Sequence, residues 1–98
     1  MATTDTTEEQ GSTLPILHMN GTSRDALLEQ RCDVGAAIRA ALEALTDMWP
    51  NARDYYPEPG RYERARAEHQ RRYDMLDTLY RELQAEAEAI SDMEGGRP

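Results

Sequence analysis

The chain has 98 residues, of which 39% are hydrophobic and 31% charged, and 11 basic residues against 19 acidic ones give a net charge of −8. This composition argues against a membrane protein, because no run approaches the roughly 18 uncharged apolar residues of a spanning helix. We expect one small domain in a soluble intracellular protein, since residues 1–10 lack the basic and apolar stretches of a secretory signal.

The charged residues and the single cysteine narrow the possible functions further. Net acidity argues against a nonspecific DNA or RNA binder, whose footprint is a basic face. All the basic residues are arginines, whose planar forks suit phosphates and carboxylates, so a local basic pocket remains compatible with the composition. Cys32 has no second cysteine to pair with and no nearby histidine pair, and we therefore expect no disulfide, metal or redox cofactor.

The first 21 residues have no helical pattern. Residues 1–13 are rich in Thr, Glu, Gln, Gly and Ser, which predicts a disordered acidic tail. Residues 14–21 are largely apolar but contain Pro15, which disfavours helical conformation at the residue before it. We predict an extended arm that must lie against another surface.

A first helix is predicted over residues 22–49. Thr22 with Asp25 three residues later matches a capping box, which marks a helix start. The apolar residues that follow recur at spacings of three and four, which keeps them on one face of a helix. Pro50 ends the pattern. Prolines and a glycine then predict a connection over residues 50–60.

A second helix is predicted over residues 61–91, followed by a flexible tail over 92–98. Its inward positions repeat every seven residues in two series: Tyr62, His69, Leu76, Leu83 and Ile90, and beside them Arg66, Tyr73, Tyr80 and Ala87. Two helices of similar length joined by a short connection predict an all-α fold, an extended arm followed by a long antiparallel hairpin. One hairpin buries little surface, so we expect a homo-oligomer; a plain coiled coil is the alternative.

The N-terminal half of the second helix has the composition of a ligand site. Between Arg61 and Arg72 there are five arginines against two glutamates, a local charge of +3. The inward residues there are Tyr62, Arg66, His69 and Tyr73. Aromatic rings stack on nucleobases, and guanidinium groups bind phosphate oxygens. The same residues also suit a protein interface, in which His69 is hydrogen-bonded packing, and base rates favour that interpretation.

Two further clusters have a functional and a structural interpretation. The connection carries Arg53, Asp54, Tyr55 and Tyr56, which form either a loop site or an ion pair beside rings that cover the hairpin end. The second cluster precedes the first helix and consists of His18, Asn20, Gly21, Thr22, Ser23 and Arg24. A helix N-terminus beside an arginine can bind an anion, and the alternative is plain capping. No catalytic arrangement of residues emerges, and we do not expect an enzyme.

Two segments carry a resemblance to a known family. Leu14 to Ser23 reads LPILHMNGTS, and Pro50 to Tyr56 reads PNARDYY. These segments resemble a pattern of the anti-CBASS cyclic-oligonucleotide sponges of tailed phages. In that pattern an arm with His-x-Asn-Gly-Thr-Ser is followed by a helix, the segment Pro-Asn-Gly-Arg-Asp-Tyr-Tyr and a second helix. The resemblance covers residues 14–91. This chain departs from the pattern at Ala52, where the family has glycine, and in having no lysine.

The resemblance implies a homohexamer in the bacterial host cytoplasm. Such a protein sequesters the cyclic di- and trinucleotide messengers of bacterial immunity without cleaving them, in pockets between protomers. By position, it implies the ligand-binding residues Asn20, Thr22, Arg24, Tyr56, Arg66, His69 and Tyr73. Two other functions fit the residues: an acidic inhibitor that binds a basic host protein, and a structural helical oligomer.

Overall fold

The structure is a computed structural model that describes residues 12–93. This part of the chain contains two α-helices and no strand: α1 is Arg24–Asp47 and α2 is Arg61–Ser91. A single 3₁₀ turn, Ala52–Asp54, lies in the connection between them. The helices pack against each other along an elongated molecule. The predicted all-helical hairpin is therefore confirmed, and residues 12–18 have no regular secondary structure.

The start of α1 is set by a serine cap. Ser23 has extended backbone angles, and its Oγ accepts a hydrogen bond from the amide of Ala26 at 3.1 Å. This bond satisfies one of the amides that the first turn leaves without a helical partner. The capping assignment to Thr22 was wrong, because the neighbouring hydroxyl supplies the cap, and α1 begins two residues later than predicted.

α1 ends shortly before Pro50, as the sequence indicates. In the turn that follows its last residue, hydrogen bonds span three residues. The amides of Met48 and Trp49 donate to carbonyls three residues back, those of Leu45 and Thr46. The residue before a proline avoids helical angles, so the α-helix ends at Asp47, two residues short of the predicted end.

The connection is short and locally hydrogen-bonded. The side chain of Asn51 accepts from the amide of Arg53 at 2.9 Å, which starts the 3₁₀ turn. Gly60 precedes α2 with φ of 85°, a left-handed conformation that glycine adopts without steric cost. From there α2 runs over the same residues that its heptad pattern predicts.

The side chains between the helices form a thin core. Among residues 12–93, the buried hydrophobic residues are Leu27, Ile38 and Ile90, and the buried polar residue is His69. Gly35 also lies in the contact, where a Cβ atom would sit 3.5 Å from the Tyr80 ring. The remaining seam residues of α2 are only half-buried, apart from Arg66, which is exposed. A core this small is consistent with the limited burial expected of a two-helix chain.

The far end of the hairpin, opposite the connection, is held by polar contacts. Arg31 forms an ion pair with Glu86 at 2.8 Å across the helices. A hydrogen bond from the Ser12 hydroxyl, together with Arg31, holds the pKa of Glu86 below its usual value. The guanidinium of Arg24 donates to the carbonyl of Met93, just past the end of α2.

The apolar residues of α1 cover a face that is wider than the contact of α1 with α2. Val34 and Met48 are 47% and 58% exposed, although their spacing continues the apolar pattern of the helix. One partner helix covers only part of an apolar face that is this wide. α2 therefore leaves these two residues of the predicted apolar face uncovered.

The remaining predictions on the ends of the chain fall largely outside the described residues. Residues 1–11 of the predicted acidic tail and residues 94–98 of the predicted C-terminal tail are not described. Neither of the helices in the described part has the length and apolarity needed to cross a membrane.

Candidate functional site

The structure separates the sequence-predicted site residues into two groups. One group precedes or begins α1: Asn20, Thr22 and Arg24. The other lies at the connection end: Tyr56, Arg66, His69 and Tyr73. Arg66 is about 25 residues before the end of α2, or ~37 Å at 1.5 Å per residue, and Arg24 contacts the chain just past that end. One hairpin therefore does not bring the two groups together.

At the connection end, two tyrosines and an arginine form a continuous row. The guanidinium carbon of Arg66 lies over the Tyr62 ring, 5.8 Å from its centroid, in a cation–π contact. The Tyr62 and Tyr55 rings lie 6.3 Å apart at a tilt of 40°. Spacing of four residues places Arg66 beside Tyr62 on the helix surface. The row presents ring faces and one cation in the same small area.

Two open hollows flank this row. The first has a volume of about 290 Å³ and is lined by Trp49, Glu63, Arg66, Ala67 and Gln70. The second has about 320 Å³ and is lined by Tyr55, Arg61, Arg64, Ala65 and Glu68. Small-molecule sites usually have about 300–1,000 Å³, so each hollow is at the small end of that range. A ligand of two or three nucleotides needs further walls.

Carboxylates offset the charge of some arginines in this region and not of others. Glu58, in the connection, accepts from Arg61 at 2.8 Å and from Arg64 at 3.3 Å. The hydrogen bond and charge of Arg61, with a smaller effect from Arg64, lower the pKa of Glu58. Among residues 12–93 no carboxylate forms an ion pair with Arg66. Arg66 is thus the arginine in the row whose charge a carboxylate does not offset.

His69 is a buried part of the hairpin rather than an exposed group. It is 1% exposed, and its Nε2 lies 2.8 Å from the carbonyl oxygen of Leu45. Because a carbonyl oxygen only accepts, Nε2 carries the proton in this contact. The imidazole also meets the Trp49 ring edge to face at 4.6 Å. The geometry corresponds to the packing interpretation, and His69 has no surface to offer a ligand within one hairpin.

The other two predicted residues of this end differ in accessibility. Tyr56 is 77% exposed and stands apart from the row formed by its neighbour Tyr55. Tyr73 is half-buried on the seam, one turn beyond His69. Arg66 has the seam spacing of seven from Tyr73 but is exposed, because it turns over Tyr62 instead of entering the contact between the helices.

At the opposite end of the hairpin, some residues at the start of α1 or before it are exposed, and others contact neighbouring parts of the chain. Asn20 and Thr22 are exposed. Gly21 lies so close to the His18 ring that a Cβ atom would be 2.8 Å from its Nε2. Arg24 is half-buried against the Met93 carbonyl, and its Nε is buried without a hydrogen-bond partner among residues 12–93. Arg24 thus ties the helix ends together.

Sequence reasoning did not place Trp49 in the candidate ligand site and did not pair Tyr62 with Arg66. Trp49 lines the hollow beside Arg66 and was assigned only to the apolar stripe of α1. Tyr62 was predicted as an inward residue of the candidate ligand site, but not as the cation–π partner of Arg66. Their signals were present, since a tryptophan that ends an apolar stripe is rarely covered on all sides and since Tyr62 precedes Arg66 by four residues.

Neither a metal site among the described residues nor a similarity to a known protein indicates the function. Residues 12–93 contain no group of three or more His, Cys, Asp or Glu side chains placed to hold a metal ion. No protein family, curated protein or solved structure matches the chain.

Proposed function

We propose that this protein is a phage immune-evasion protein that binds and sequesters cyclic di- and trinucleotide messengers of bacterial antiviral signalling without cleaving them. It acts in the bacterial host cytoplasm as a homo-oligomer. The single observation that carries the proposal is the row of the half-buried Tyr55 and Tyr62 and the exposed Arg66 in a chain of net charge −8. Ring faces and an unpaired guanidinium are the groups that a nucleobase and its phosphate require.

The size of the two hollows supports a ligand that is shared between protomers. Each holds about 300 Å³ on an open surface, which suits one base and its sugar rather than a whole cyclic dinucleotide. The polar residues Asn20 and Thr22 are exposed at the opposite end of the hairpin. If a neighbouring protomer brings that end next to Arg66, the polar groups supply phosphate contacts in addition to that of Arg66.

Sequestration works by mass action and needs no catalytic group. A binder in excess lowers the free messenger below the threshold of its receptor, which asks for affinity on the order of nanomolar, or ~12 kcal/mol. Stacking contributes ~1–3 kcal/mol for each base, and phosphate contacts add to it. A pocket formed by rigid helices loses little of this energy to ordering.

Native mass spectrometry of the protein with a panel of cyclic di- and trinucleotides tests the proposal. We expect a multimer that carries intact nucleotides at a fixed ratio and releases them with unchanged mass. Arg66→Ala should abolish uptake while leaving the multimer intact, and Arg81→Ala, an exposed arginine elsewhere on α2, should behave as wild type. Uptake of none of the nucleotides would overturn the proposal and direct the search to a protein partner.

Mixed multimers test whether the ligand is shared between protomers. Thr22→Ala and Arg66→Ala chains are each expected to bind poorly. A multimer formed from equal amounts of both would have about one quarter of its shared sites intact, since each such site takes one end from each of two protomers. Recovery of that fraction supports a composite pocket. No recovery would show that the two ends do not act together.

A further inference from the structure

A second apolar stripe runs along the surface of α1. It comprises Val34, Ala37, Ala41, Ala44 and Met48, spaced by three and four residues as in a helix that packs against a partner. The stripe lies one residue away from the inward positions that face α2. Val34 and Met48 are large apolar side chains that remain 47% and 58% exposed. The three alanines between them would let another helix approach closely.

A matching stripe runs along α2 on the same side of the hairpin. It comprises Arg72, Met75, Leu79 and Glu82. An apolar groove of about 450 Å³ connects the two stripes, and Ala41, Ala44 and Met48 of α1 face Arg72 and Met75 of α2 across it. Met75 and Leu79 are 60% and 41% exposed. The hairpin thus has an open apolar face built from both helices.

The charges at the ends of the α2 stripe identify what covers this face. Reading along α2, the stripe is Arg, Met, Leu, Glu at spacings of three, four and three, which is symmetric about the level of residue 77. A second copy of α2 laid antiparallel over the first places Arg72 opposite Glu82, and Met75 opposite Leu79. Neither charged residue takes part in an ion pair among residues 12–93.

We propose that two copies of this chain pair face to face through these stripes, about a two-fold axis perpendicular to the helices near the level of residue 77. The interface is isologous, so the Arg72 to Glu82 contact forms twice. The two copies of α1 then also lie against each other, and the Val34 to Ala41 part of the α1 stripe lies in the same interface, because Gly35 of α1 is level with Tyr80 of α2. The result is a four-helix bundle in which every neighbouring pair of helices is antiparallel.

This pairing deepens the homo-oligomer part of the proposed function, on which it rests, and leaves the nucleotide-binding residues outside the interface. Arg66 and Tyr62 do not belong to the α2 stripe. A second copy therefore covers the apolar groove while the aromatic row remains open. Assembly and nucleotide uptake can be measured separately.

Charge reversal tests the proposed register by sedimentation equilibrium without nucleotide. We expect Arg72→Glu and Glu82→Arg each to raise the dissociation constant of the pair at least about tenfold, because each places two like-charged contacts in the interface. The double variant should return to within about threefold of wild type. Arg71→Glu, one residue outside the stripe, should change it less than about threefold.

Two outcomes would overturn the pairing. Single variants that associate as wild type would exclude these residues from the interface. Single variants that dissociate without rescue in the double variant would exclude the antiparallel register. Leu79→Glu, in the apolar centre, should yield a lower mass than wild type, and an unchanged mass would also contradict the proposal. None of these outcomes depends on nucleotide uptake, so failure of the pairing and failure of sequestration are distinguishable.

Discussion

The buried imidazole of His69 should be one of the main contributors to the stability of the hairpin. Replacing it with alanine removes the hydrogen bond to Leu45, worth about 1 kcal/mol, and the edge contact with Trp49, worth about 0.5–1.5 kcal/mol. The cavity left by the ring adds a further cost because His69 is 1% exposed. We expect His69→Ala to lower the free energy of unfolding by ~3 kcal/mol in total.

A graded pair of variants separates the two contacts of His69. Gln places an amide donor near the position of Nε2, so His69→Gln should keep part of the hydrogen bond, lose the ring contact, and cost ~1–2 kcal/mol. The neighbouring Gln70 is exposed, and Gln70→Ala serves as the control, with an expected change within about 0.5 kcal/mol. Urea unfolding followed by circular dichroism measures all three variants.

The protein concentration must be the same for all variants in this experiment. The stability of an oligomer depends on the concentration of its protomers, so all proteins are compared at one concentration. If His69→Ala costs no more than Gln70→Ala, the hydrogen bond and the ring contact do not hold the hairpin together, and the packing role of His69 is refuted.

Three further changes test the local structure. Gly35→Ala should raise the free energy of unfolding by ~0.5–1 kcal/mol, since alanine favours a helix and its methyl group would meet the Tyr80 ring at ordinary contact distance; a loss of stability in urea unfolding would contradict this. Ser23→Ala should cost ~1 kcal/mol and Thr22→Ala nearly nothing, and equal losses would show that the cap is shared. The lowered pKa of Glu86 stabilises the fold above its ordinary value of 4.5, and this contribution disappears as the pH falls through the folded value. We therefore expect the free energy of unfolding to fall less between pH 6 and pH 3 in Glu86→Gln than in wild type.

The helices and their contact followed from the sequence because both depend on periodicity. The heptad of α2 places His69 and Ile90 at seam positions, and both are buried. Pro50 and Gly60 mark the connection, since proline and glycine act on the backbone itself. These features need no knowledge of distant contacts.

The details that sequence reasoning missed depend on competition between neighbouring groups. Ser23 and Thr22 both carry a capping hydroxyl, and only the backbone angles decide which one reaches Ala26. Arg66 has seam spacing, but a long charged side chain gains more by lying over the Tyr62 ring than by entering an apolar contact. Arg24 precedes its partner Met93 by 69 residues, a contact that no local pattern encodes.

The thin core links folding, assembly and ligand binding. Leu27, Ile38, Ile90 and His69 are few buried side chains for residues 12–93, so a protomer would gain much of its stability by covering the second apolar face in the proposed pair. A nucleotide held between protomers would stabilise the assembled state further, by ~2.7 kcal/mol at a hundred times its dissociation constant. By the same linkage, assembly would strengthen nucleotide binding. The apparent affinity would then rise with protein concentration, and a protein made in large amounts would bind the messenger most tightly.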